Sequence, residues 1–198
     1  MCLFIETIRI EEGIVCNLPY HNQRMNATRS AHFGDASPLD LSAHIRTPEN
    51  KDRIKCRVAY DQSIRKITYA PYTVRPVSTL QLVYPDAINY RYKSTNREEL
   101  NKLFNAKGKQ DEILIVKEKK LTDTSIANIA LFDGNRWYTP TTPLLEGTQR
   151  AFLLNNSLLT QKEILLEELF SYQQIALFNA MIPFGEIIIP IDKEHINL

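Results

Sequence analysis

LTDTSIANIALFDGNRWYTP, residues 121–140, is the stretch on which the fold turns. Two apolar runs, SIANIALF and RWYTP, flank Asp133-Gly134. An Asp-Gly pair readily adopts the positive φ angles that a tight turn between antiparallel strands requires. The spacing therefore predicts a β-hairpin. At the mouth of its first strand stand Asp123, Thr124, Ser125 and Asn128. Such side chains commonly bond their own backbone in a turn. The alternative is a carboxylate held at a strand mouth for chemistry.

Working towards the N-terminus, DEILIVKEK (111–119) is a nearly continuous apolar strand and STLQLVYP (78–85) is another. NYRYK (89–93) is a β-type run ending in Lys93, and REELNKLF (97–104) is a helix. A lysine at a strand end either lays its stem along the surface or is an amine held for chemistry. LFIETIRIEEGIV (3–15) is expected to form a hairpin around Glu11, Glu12 and Gly13. LPYHNQRMNATRSAHF (18–33) is helical, with Tyr20, Arg24 and Ala27 or Thr28 on one stripe. An arginine there is either a solvated residue or a bidentate grip for phosphate.

Residues 34–50 are expected to be a loop with at most one short helix, followed by two antiparallel strands across DQS (61–63). APYTVRPVSTL (70–80), with Pro71 and Pro76, is the candidate linker, which gives domains 1–75 and 76–198. On the C-terminal side, EGTQRAFLLNN (146–156) opens a helix; Gly147 and Thr148 precede its first amides, which lack intrahelical partners. Such an end is either simply capped or a seat for phosphate. A second helix is predicted from Thr160, with a Thr160–Glu163 capping box and a stripe of Leu165, Leu169, Tyr172 and Ala176. GEIIIPI (185–191) is a buried strand broken by Pro190.

The bulk numbers narrow the class. Of 198 residues, 43% are hydrophobic and 24% charged, with 24 Lys plus Arg against 23 Asp plus Glu. A net charge of +1 gives no electrostatic case for nucleic acid or an anionic membrane as partner. No apolar run approaches the ~20 residues that span a bilayer. MCLFIETIRIEEG lacks the basic start of a secretory signal. Cys2, Cys16 and Cys56 are odd in number and have no metal-ligand spacing. A reducing cytoplasm is the simpler expectation. His21, His32, His44 and His195 also lack such spacing, so no metal is expected. Trp137 reads as a packing residue, and no Walker, Rossmann or G-x-S-x-G fingerprint is present.

Seven blocks in order resemble the class IV aminotransferases, the fold-type IV pyridoxal phosphate enzymes. They are FIETIRIEEG, LPYHNQRM, YKSTNR, DEILIV, the 121–140 stretch, LLEGTQR and LFNAMIPFGEI. The resemblance implies an α+β, two-domain fold like that of D-amino-acid aminotransferase, with the cofactor cleft between the domains. It also implies pyridoxal 5'-phosphate as cofactor, a small-molecule substrate and a homodimer. By position, Lys93 would carry the cofactor as a Schiff base. Asp123 would face the pyridine nitrogen, where the family usually has Glu. Arg24 would bind the phosphate with Gly147, Thr148 and Thr124 or Ser125. Asn179, Ala180 and Met181 would face the substrate. Within the family, YKSTNR and FNAM are most similar to the 4-amino-4-deoxychorismate lyases, which release pyruvate and 4-aminobenzoate. Two alternatives stay open: a class IV aminotransferase acting on a branched-chain or D-amino acid, and a non-catalytic relic. The relic is suggested by Asp123 in place of the family's Glu and by a chain that opens at the family's second block.

Overall fold

A strand needs partners on its edges and an apolar face to bury, and the first strand of this chain shows how both are met. The computed structural model describes residues 3–34, 37–47, 52–85 and 87–198. Cys2 and parts of the expected 34–50 loop (35–36 and 48–50) lie outside the described residues. Two compact units result. One comprises the described residues up to Val74 together with Tyr92–Asn96; the other comprises Arg75–Arg91 and Arg97–Leu198. The break after Val74 falls inside the proline-bearing segment.

In the first unit, β1 (Phe4–Glu11) turns through Glu12 (φ 51°) and Gly13 (φ 76°) into β2 (Ile14–Val15). α1 (Leu18–Phe33) has Pro19 in its first turn, where a missing N–H costs nothing. It ends at Gly34, whose N–H donates to the carbonyl of Ser30. β3 (Ile54–Tyr60) and β4 (Ile64–Pro71) complete an antiparallel sheet of order β2-β1-β3-β4. Phe4, Ile8 and Ile10 of β1 alternate onto a core with Met25 of α1, Leu41, Cys56, Val58 and Tyr60. The buried stripe of α1 is His21, Met25, Thr28 and Arg29, one residue away from the stripe expected from the sequence.

β2 pairs with β1 only at Ile10 and Glu11, which leaves the start of β1 open on that edge. The segment around Lys93 takes the place. Ile5 N–H donates to the Lys93 carbonyl at 2.9 Å, Thr95 N–H donates to the Leu3 carbonyl at 2.9 Å, and Ser94 bridges Phe4. This corrects two expectations. Residues 89–93 form no strand, because only the bridge at Ser94 is made. Lys93 also groups with the first unit, although it follows the linker in the chain.

The second unit holds two sheets. β5 (Leu80–Val83) lies parallel to β6 (Glu112–Lys117), which returns antiparallel as β7 (Lys120–Leu121). α2 (Glu98–Asn105) buries Leu100 with Ile113 and Ile115 of β6. β8 (Asn128–Phe132) and β9 (Trp137–Pro140) form the hairpin expected from Asp133-Gly134. Asp133 Oδ1 accepts the N–H groups of Asn135 and Arg136, and Gly134 takes φ 97°. α3 (Thr148–Asn155) follows. β10 (Thr160–Lys162), β11 (Gln174–Phe178) and β12 (Ile187–Pro190) complete a sheet of order β10-β9-β8-β11-β12. β13 (Ile196–Asn197) lies parallel to β5.

The helix expected from Thr160 is absent. Thr160–Lys162 instead pair with the open edge of β9, and only Leu166–Ser171 coil, as a 3-10 turn. Its start is held by Glu168, whose carboxylate accepts the Leu165 N–H at 3.0 Å. QIALF then serves as a strand between β8 and β12, where a continuous apolar run suits a sheet covered on both faces. The strand expected at 185–191 is not buried throughout. β12 lies at the sheet edge, with Ile187 and Ile189 inward and Ile188 43% exposed. An edge tolerates Pro190, which has no N–H to donate.

Candidate active site

In the first unit, β1 places one charge where its alternation calls for an apolar side chain. Phe4, Glu6, Ile8 and Ile10 share the inward face, and Glu6 is fully buried. A buried carboxylate needs hydrogen-bonded, charged partners to stay ionised. α1 supplies them, one turn apart. Arg24 donates from Nε to Glu6 Oε1 at 3.0 Å and from Nη2 to Oε2 at 2.6 Å. His21, also fully buried, lies with Nδ1 2.6 Å from Oε2. Burial raises the Glu6 carboxyl, but Arg24 and His21 more than offset it and hold the group at about 2. An ionised carboxylate can only accept, so the His21 bond is Nδ1–H donating to Glu6. Burial keeps His21 neutral by pushing it below its ordinary value, and the charges of Arg24 and Lys93 add to that push against the pull of Glu6.

In the second unit, the turn before β8 and the turn before α3 are stitched together. Asp123 is buried. Its Oδ1 accepts from Asn128 Nδ2 at 2.8 Å, and its Oδ2 accepts from the Leu145 N–H at 3.0 Å. Asn128 Nδ2 also donates to the Leu145 carbonyl at 2.8 Å. Two residues on, Gly147 sits so close to Asn128 that a Cβ would lie 1.9 Å from Oδ1. Gly147 is thus required for space, not for backbone freedom; its φ is −71°. Thr148, Gln149 and Arg150 at the start of α3 are all buried. Burial pushes the Asp123 carboxyl up to about 6, against hydrogen bonds from Leu145, Asn128 and Leu144 and the more distant charge of Arg150.

The loop from Asp123 to Asn128 is held at each step. Thr124 Oγ1 accepts the Ala127 N–H at 2.9 Å and donates to the Ala127 carbonyl, a turn closed on itself. Arg97 Nη2 donates to the Ser125 carbonyl at 2.8 Å, while its other arm reaches the Tyr90 hydroxyl at 3.2 Å. Asn179 Nδ2 donates to the Ile126 carbonyl at 3.0 Å, and Asn179 Oδ1 accepts the N–H groups of Met181 and Ile182. Met181 is buried and Ala180 is half-buried.

The site residues named from the sequence thus fall into two sets. Arg24 and Lys93 belong to the first unit; Asp123, Thr124, Ser125, Gly147, Thr148, Asn179, Ala180 and Met181 belong to the second. The sequence reading passed over Glu6, Arg97 and the clamping role of Asn128. For Glu6 the signal was available: a glutamate at an inward position of a period-2 strand.

The sequence profile of the amino-transferase class IV family matches residues 3–188. The chain belongs to the class IV aminotransferase family. An uncharacterized protein of Haemophilus influenzae is 35% identical over 180 residues, covering 89% of this chain and 96% of its own. A crystal structure from Haemophilus somnus 129pt, provisionally named 4-amino-4-deoxychorismate lyase, matches with a TM-score of 0.88 at 35% identity, over 92% of this chain and 98% of that one. The pyridoxal-phosphate-bound form of a hypothetical aminotransferase from Mycobacterium tuberculosis shares the fold, with a TM-score of 0.75 at 16% identity over 93% of this chain and 80% of that one. The α+β, two-domain class IV fold expected from the sequence is therefore the fold observed. Class IV aminotransferases are a family of pyridoxal-phosphate-dependent enzymes. Among the described residues, no helix is long and apolar enough to cross a membrane.

Proposed function

We infer that this protein is a pyridoxal-phosphate-dependent lyase that converts 4-amino-4-deoxychorismate to pyruvate and 4-aminobenzoate. The observation that carries the reading is the 35% identity to the Haemophilus somnus protein across nearly the whole of both chains.

The residues present fit the cofactor. Of about four acceptor positions on a carboxylate, Asp123 uses three, on Asn128, Leu145 and Leu144. All three donors are neutral, and burial without a bonded cation is what lifts its pKa. A protonated ring nitrogen meets that need and keeps Asp123 ionised. The start of α3 offers backbone N–H groups and the positive end of the helix dipole to a phosphate, and Arg24 offers a guanidinium.

Pyridoxal phosphate, when bound, stabilises negative charge on the carbon that bears the substrate amine. The chain's own groups do the rest. Asp123 holds a proton on the ring nitrogen. Arg24 of the first unit, and Ser125 with the Gly147–Thr148 turn of the second, are the candidate phosphate ligands, while Thr124 keeps its turn rigid. Lys93 would hold the cofactor through Nζ, an amine that is free for proton transfer once substrate is bound. Its freed Nζ then takes the proton from the amino-bearing ring carbon as general base. The C–O bond to the three-carbon side chain breaks as the ring becomes aromatic. Lys93 Nζ returns a proton to the departing fragment, which leaves as pyruvate. Asn179 braces Ala180 and Met181 against the substrate.

The test is direct. Purified protein loaded with pyridoxal phosphate and given 4-amino-4-deoxychorismate should release pyruvate and 4-aminobenzoate in equal amounts, and Lys93→Ala should release neither. Failure to form either product, together with conversion of the cofactor to its amine form by an amino acid, would assign an aminotransferase instead.

A further inference from the structure

The most buried charge in the first unit is one that the chemistry above does not use. Glu6 sits on β1 among Phe4, Ile8 and Ile10, and its carboxylate is fully enclosed. If Arg24 served only as a solvated helix residue, no buried carboxylate from the neighbouring strand would be needed. Instead Glu6 takes it by two parallel N–H···O bonds through Nε and Nη2. A two-armed grip of this kind fixes the plane of a guanidinium as well as its position. His21 Nδ1–H holds the same carboxylate from a second direction. One acid, one base and a neutral imidazole add no net charge, so the cluster offers a phosphate oriented N–H groups rather than a strong field.

We propose that Glu6 is a positioning residue that aims Arg24 at the cofactor phosphate and thereby makes the protein prefer pyridoxal phosphate to pyridoxal. The inference rests on the reading of Arg24 as a phosphate ligand. Without Glu6 the guanidinium keeps its charge but loses its fixed plane. A glutamine at this site turns its NH2 group to Arg24 Nε in one orientation and to both Arg24 Nη2 and His21 Nδ1 in the other, so one of the two Arg24 bonds is lost whichever way the amide turns.

Apoprotein titrated with pyridoxal phosphate and separately with pyridoxal tests this, the readout being the ratio of the two dissociation constants. Glu6→Gln should cut the preference for pyridoxal phosphate by about tenfold, the loss of one charge-assisted bond, and leave pyridoxal affinity within about twofold. In an Arg24→Ala background, Glu6→Gln should change the ratio no further, because Glu6 acts through Arg24. Arg24→Lys keeps the charge but cannot take the two-armed grip; it should lose the preference as Glu6→Gln does, and it serves if Glu6→Gln does not fold. Equal weakening of both ligands by Glu6→Gln would make Glu6 a purely structural residue and overturn the proposal, as would an unchanged ratio in Glu6→Gln or in Arg24→Lys. An Arg24→Ala protein that still prefers pyridoxal phosphate would instead overturn the assignment of Arg24 itself.

Discussion

Replacing Gly147 with alanine perturbs one atom whose consequences can be followed through the second unit. The new Cβ would lie 1.9 Å from Asn128 Oδ1 and 3.1 Å from its Cγ, where ordinary contact begins at 3.4 Å. The Asn128 amide must retreat by about 1.5 Å. That stretches both of its 2.8 Å hydrogen bonds, to Asp123 and to the Leu145 carbonyl, past bonding distance. A bond to a charged acceptor is worth ~1.5–3 kcal/mol and a neutral one ~1 kcal/mol, so Gly147→Ala should cost roughly 2.5–4 kcal/mol. In a chain of this size that lowers the melting temperature by roughly 5–15 °C. Asn128→Ala breaks the same two bonds and should cost about as much. It also removes the atom that the new Cβ strikes. The double variant should therefore be about as stable as Asn128→Ala alone, with a coupling of roughly 2.5–4 kcal/mol. Trp137 is the only tryptophan and packs on Phe132 and Phe184 in the same unit, so its fluorescence in a denaturant titration reports this unit directly. Wild-type stability in Gly147→Ala, or strictly additive losses in the double variant, would refute the reasoning.

Three further outcomes follow from the same geometry. The Asp123 carboxyl, raised from 3.8 to about 6 in the fold, costs the apoprotein about 3 kcal/mol above pH 6, and that cost fades as pH falls towards 3.8. Trp137-monitored stability of the apoprotein should rise by about 1–1.5 kcal/mol between pH 7.5 and pH 5, and a flat or falling curve would contradict this. Glu6 has the opposite sign: lowered from 4.5 to about 2, it contributes about 3 kcal/mol above pH 4.5 that is lost as pH falls towards 2, which Glu6→Gln should abolish in acid denaturation followed by circular dichroism. Asn179→Ala removes the side-chain bonds to the Met181 and Ile182 N–H groups and to the Ile126 carbonyl; it should raise KM severalfold with a smaller change in kcat, and unaltered kinetics would remove Asn179 from the substrate site.

Local chemistry made much of this fold legible. The Asp133-Gly134 hairpin, α1 over Leu18–Phe33 and the strand EILIVK each depend on neighbouring residues, and each forms where the pattern put it. What the sequence hid depends on distant partners. Thr160–Lys162 carry a helix-start pattern, yet the open edge of β9 claims them as a strand. The Lys93 segment joins the first unit because β2 is too short to cover the start of β1. Arg24, Lys93 and Asp123 could be named as candidates because family blocks surround them. Glu6 stands in a family block too, and at an inward strand position, but its partners lie on a helix that returns over it 15 and 18 residues later. Arg97 was in view within YKSTNR, but its target, the Ser125 carbonyl, lies 28 residues on.

Lys93 carrying pyridoxal phosphate is the claim on which the rest depends, and it can be read by mass. Protein incubated with pyridoxal phosphate, reduced with borohydride, digested and mapped by mass spectrometry should carry one pyridoxyl group per chain, on Lys93, and none in Lys93→Ala. A label spread over surface lysines, or fixed on another residue while Lys93 stays unmodified, would contradict the account.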